Sequence, residues 1–131
     1  MSNEKSVFED IEFAINLYRI TKNEVATIQS FSDQARNLLS EFIEDFYIWI
    51  PNVPEFKTVF HKPDLIERVK KQQIKYWENF FDCKLNQEYM DERYKVGEVH
   101  ADINLPVSSY IAGMSFSVSW WIEKISKLKS N

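Results

Sequence analysis

The chain has 131 residues, a net charge of −4, 44% hydrophobic and 27% charged residues, a size and composition that fit a single globular domain and leave no room for a second catalytic one. Two glycines exclude glycine-dependent phosphate loops, the surplus of acid over base argues against a nucleic-acid partner, and one cysteine excludes an internal disulfide or a thiolate metal site. Ten Phe, six Tyr and four Trp beside only four Pro favour helices with broad aromatic faces.

Along residues 7–18, Val7/Phe8, Ile11, Ala14/Ile15 and Tyr18 recur at the helical period and predict an amphipathic N-terminal helix. Thr21 with Glu24 matches a capping box for a short helix carrying Val25 and Ile28, and Ser30 with Asp33 repeats the signal for a third. That third helix carries Ala35, Leu38/Leu39, Phe42/Ile43, Phe46/Tyr47 and Trp49/Ile50 until Pro51 stops it. After a loop holding Pro51 and Pro54, Pro63 suits the first position of a helix running to about Phe81. Its inward face reads Ile66, Val69, Gln73, Trp77 and Phe80/Phe81. Asn86 caps a further helix with Tyr89, Val96, Val99/His100 and Ile103 inward, and Asn104 tolerates the left-handed conformation that closes it. From Pro106, a strict alternation over residues 115–120 suits a strand. The longer series Tyr110, Met114, Val118, Trp121, Ile125 and Leu128 is helical, and the chain offers no partner strand. The fold class is therefore all-α. Residues 103–122 carry no charge but hold Pro106 and five serines, too polar for a typical membrane span, so no membrane insertion is expected. The lone cysteine and the lack of a cleavable leader pattern agree with a reducing cytoplasm.

The chemistry-bearing candidates are polar groups on apolar faces: Tyr47, Gln73 and His100. From periodicity alone the plainer reading of His100 is a core histidine bonded to a carbonyl, of Tyr47 a packed ring, and of Gln73 a tie between helices. Two histidines 39 positions apart make neither a catalytic triad nor a zinc site. His61 reads as a solvated loop residue and Cys83 as a structural or surface thiol.

The run Val96-Gly97-Glu98-Val99-His100-Ala101-Asp102-Ile103-Asn104-Leu105-Pro106, followed by Tyr110, resembles the segment around the proximal histidine of globin-coupled sensors. Phe46-Tyr47, Val69-Lys70, Gln73, Trp77 and Tyr89 precede it in the same order, so the resemblance covers roughly residues 20 to 125. It implies a protoglobin-like sensor globin, with residues 1–20 an extra N-terminal helix, that binds haem b and takes O2, and also CO or NO. His100 would be the iron ligand and Tyr47 the distal donor, with Gln73 and Lys70 on the covering helix. Phe42, Phe46, Val69, Trp77 and Val99 would be walls of the slot. No catalysis is expected of the domain; an output enzyme or partner would lie elsewhere. Two departures stand out. Asn104 replaces the usual glycine, and the chain ends at Asn131, one long helix short of the family pattern. The expectation is that a symmetry mate covers the last helix in a homodimer. A haem-free helical module binding a partner or an apolar ligand would have the same periodicity.

Overall fold

Capping chemistry sets the helix boundaries in the computed structural model, which describes residues 10–129; Val7 and Phe8 of the expected first helix lie outside the described residues. Helix α1 (Ile11–Leu17) starts where the Asp10 carboxylate accepts the amides of Glu12 and Phe13 at 2.9 and 3.1 Å. Helix α2 (Lys22–Gln29) begins with the Thr21/Glu24 capping box, complete in both directions. Helix α3 (Ser32–Trp49) departs from expectation: its N-cap is Phe31, with no side-chain bond. The proposed cap, Ser30, still has helical backbone as it closes α2, and its hydroxyl donates back to the Thr27 carbonyl at 2.6 Å.

Pro51 ends α3 and a 3-10 turn over Ile50–Asn52 follows. Helix α4 (Phe56–Val59) is a single turn, and α5 (Pro63–Asp82) opens with proline at its first position as predicted. It closes at Cys83 in the left-handed region, with φ 49°. The Asn86 side chain caps α6 (Gln87–Asp102) by accepting the Tyr89 amide. Helix α7 (Val107–Lys129) runs 23 residues, so the alternating segment is helix rather than strand. Among the described residues the protein is all-α, without a strand.

The core is built on α3. Ala35, Leu39, Phe42, Ile43 and Phe46 face Trp77 and Phe81 of α5 and Trp120 and Trp121 of α7. Phe42, 0% exposed, is the hub, with ring centroids 5.5 Å from Trp77, 5.1 Å from Trp120 and 5.3 Å from Trp121. Burying such a ring is worth roughly 1.5–3 kcal/mol, and each tilted or edge-on pair adds about 0.5–1.5 kcal/mol. Polar ties frame this cluster: Arg36 bonds Asp82 at 2.6 Å, Lys124 bonds Glu41 at 2.6 Å, and the Trp120 indole N–H donates to Asp45 at 2.8 Å.

That last bond explains a rotation of α7 relative to the expected stripe. Two adjacent tryptophans both seek the α3 face, so the core line runs between positions 120 and 121. Ser117 turns inward, its hydroxyl satisfied by the Gly113 carbonyl at 2.8 Å, while Tyr110 and Val118 turn out, 41% and 46% exposed.

Candidate functional site

The last turn of α6 holds His100 by two independent constraints. Asn104 takes the left-handed conformation the sequence predicted, φ 55°. Its amide reaches Ala101 O at 3.0 Å and the Leu105 amide reaches His100 O at 3.1 Å, the bond pair of a Schellman cap. The His100 carbonyl is therefore anchored by the turn. Its ring is anchored by Nδ1, 2.8 Å from the Val96 carbonyl. A carbonyl oxygen only accepts, so Nδ1 carries a proton, and in the neutral ring the lone pair is on Nε2. Tyr110, from the first turn of α7, meets the imidazole edge-on at 5.3 Å between centroids.

A second group lies on α3 and α5. The Tyr47 ring is seated against Phe46 at 5.3 Å and Phe60 at 6.2 Å, with the Lys70 ammonium 5.1 Å above its centre. Lys70 also pairs with Glu67 at 3.6 Å. The Tyr47 hydroxyl is buried without a protein partner, and so is Gln73 Oε1. Burial pushes the Tyr47 phenol well above its ordinary value, with the Glu67 carboxylate adding to the rise, so it remains a neutral donor. An unpartnered buried polar atom costs about 1–3 kcal/mol. Trp121 Nε1, in the core, is a third such atom; the Tyr47 and Gln73 atoms are the two outside that cluster of tryptophans.

Between these groups, α5 and α6 run antiparallel around a loop over residues 83–86. Arg93 donates to Tyr76 O at 3.0 Å and lies over the Tyr76 and Tyr89 rings, at 3.6 and 4.4 Å, while Asn79 donates to Glu92 at 3.1 Å. These ties come from the first half of α6.

Of the expected wall residues, Phe46 and Trp77 are buried and Val69 is half-buried. Phe42 is the centre of the core. Val99 and Ile103 do not point into protein: they are 55% and 44% exposed, because the clamps that draw α6 onto α5 all lie a turn or more before them. No hydrogen bond, ion pair or ring contact joins His100 to Tyr47, Gln73 or Lys70 among the described residues; the structure brings Lys70 to Tyr47 and sets His100 against Tyr110 of α7 instead. His61 is exposed, as expected, and Cys83 is buried, with its thiol pushed up by burial.

Three residues escaped sequence reasoning. Ser109 Oγ donates to Glu55 Oε2 at 2.7 Å across 54 positions, a pairing that no local pattern announces. Phe60, which backs Tyr47, was foreshadowed only by the four-residue spacing from Phe56, whose ring it meets at 5.2 Å. Among the described residues no three His, Cys, Asp or Glu side chains form a metal cluster, and no helix is long and apolar enough to cross a membrane. No curated protein matches the chain. A model of the Protoglobin family matches residues 9–131. The chain therefore belongs to the Protoglobin family and carries a globin-type domain of the gas-binding class.

Proposed function

We propose that this domain binds haem b and senses O2, with CO and NO as further ligands, and passes occupancy to a signalling partner or output domain. The observations that carry the reading are a His100 imidazole whose Nδ1 is committed to Val96 and, on α3 and α5, two buried polar atoms, Tyr47 Oη and Gln73 Oε1, that have no protein partner. These residues fit haem. His100 Nε2 offers a neutral imidazole lone pair, Val99 and Ile103 display apolar surface beside it, and Phe46, Val69 and Trp77 supply apolar walls on α3 and α5. When bound, haem supplies an iron centre that takes diatomic gases.

The protein's own part is orientation and selectivity. The Val96 carbonyl fixes the imidazole tautomer and raises its basicity. The Tyr47 hydroxyl, kept protonated by burial, would be the donor to a polarised diatomic ligand. A charge-assisted bond of this kind is worth roughly 1.5–3 kcal/mol, which favours O2 over the weakly polarised CO. Gln73 is a second polar group on the same side, and Lys70 covers the Tyr47 ring.

Transmission is assigned to α7, which starts seven residues after His100. Val107, Ile111, Val118 and Ile122 are exposed, and residues 103–122 carry no charge. An uncharged apolar face is compatible with its own copy, so the proposal includes a homodimer through this helix. Absorption spectra of the purified chain, reduced, oxygenated and with CO, test the haem reading. An intense Soret band that shifts with each gas supports it, and protein that takes up no haem on reconstitution overturns it in favour of a haem-free partner-binding module.

A further inference from the structure

We infer that Glu55 and Ser109 are positioning residues that tie the wall behind Tyr47 to the wall behind His100, so that the two sides of the site move together. The inference rests on the haem reading only for its consequence on gas binding; the mechanical coupling stands on side-chain contacts joined by two short backbone steps. Ser109 Oγ donates to Glu55 Oε2 at 2.7 Å in a partly buried setting. The bond spans a cleft of about 400 Å³ between the end of α3 and the start of α7, whose lining includes Trp49, Asn52, Val53 and Ser108.

On one side of the bond, Ser109 adjoins Tyr110, which meets the His100 ring at 5.3 Å. On the other, Glu55 adjoins Phe56, which meets Phe60 at 5.2 Å, and Phe60 meets the Tyr47 ring at 6.2 Å. Three ring contacts and one charged hydrogen bond, joined through the backbone at Ser109–Tyr110 and Glu55–Phe56, thus link the imidazole to the phenol without passing between α5 and α6. The carboxylate also faces the first turn of a 23-residue helix, where the peptide dipoles favour negative charge. That placement makes Glu55 the group that registers the start of α7 against the 53–60 segment.

Hydrogen exchange on the purified protein, with and without haem, tests the coupling directly. Ser109→Ala should accelerate amide exchange at residues 107–112 and at residues 55–60 together. Ser109→Thr, which keeps a hydroxyl, should restore both, and Glu55→Gln, which keeps an acceptor oxygen without the charge, should fall between them. Acceleration confined to 107–112 overturns the inference, because the bond is then a local helix cap. In haem-loaded protein, Ser109→Ala should raise the O2 dissociation rate by about two- to ten-fold, the span of one net hydrogen bond, and leave CO dissociation unchanged. In a Tyr47→Phe background the same substitution should have no effect on O2. An equal change for both gases, or an effect that persists without the Tyr47 hydroxyl, overturns the link to Tyr47. Failure to load haem leaves the exchange result intact and refutes the proposed function alone.

Discussion

Replacing Tyr47 by Phe removes one oxygen atom and should move stability and gas retention in opposite directions. The ring contacts to Phe46 and Phe60 and the ammonium of Lys70 above the ring do not involve the hydroxyl. The hydroxyl itself is buried with no protein partner. Leaving such a group unbonded costs about 1–3 kcal/mol, so the Phe variant of the haem-free protein should gain on the order of 1 kcal/mol. For a chain of this length that is roughly 3–5 °C in Tm, readable by helical circular dichroism. With haem bound the sign reverses. The hydroxyl then donates to the gas, and its loss should speed O2 dissociation by about ten-fold or more, the factor corresponding to 1.4 kcal/mol. CO dissociation should change far less. A haem-free Phe variant that melts below the parent, or equal acceleration for both gases, would refute the assignment of Tyr47 as an unsatisfied donor waiting for a ligand.

Asn104→Gly should relieve the left-handed strain at the α6 cap and raise Tm by about 1–3 °C, less than the full αL penalty because glycine also frees the unfolded chain; a fall in Tm would mean that the Asn side chain supports the cap. Asp82 is held below the usual carboxylate range by the hydrogen bond from Arg36 and also by the Ser32 hydroxyl. A depressed folded value stabilises above the unfolded value of about 4 and is lost as pH falls through the folded one. Asp82→Asn should therefore flatten the acid side of the urea-midpoint profile, and an unchanged profile would contradict this. Ile122→Glu, at a position 60% exposed, should convert a dimer to a folded monomer by light scattering. An unmodified chain that is already a monodisperse monomer would end the dimer proposal. Trp121 is unsuitable for this test because it is 4% exposed and belongs to the core.

The all-α class was legible because several helix boundaries rest on local chemistry. Thr21 with Glu24, Pro63, Asn86 and Asn104 each act within four residues of themselves, and each is found where the sequence predicted. Ser30 misled because a serine at the junction of two helices can bond either one, and it bonds the helix behind it. Helix rotation was less legible. The inward line of α7 depends on Asp45, 75 positions away, capturing the Trp120 indole, and periodicity alone does not announce that Trp120 and Trp121 both enter the core. The same limit applies to Val99 and Ile103, whose exposure follows from where Arg93 and Glu92 clamp α6. At the candidate site, Tyr47, Gln73 and His100 stood out as polar groups on apolar faces, which is a local property. The Glu55–Ser109 tie did not, because it belongs to the packing of distant segments.

The central claim is that His100 Nε2 is the haem ligand. The most direct test is the reduced absorption spectrum of His100→Gly with and without added imidazole, His61→Ala serving as control. The account predicts that the Gly variant loses stable haem, that free imidazole entering the vacated space restores it, and that His61→Ala matches the parent. A five-coordinate ferrous spectrum in His100→Gly identical to that of the parent, without imidazole, would contradict it.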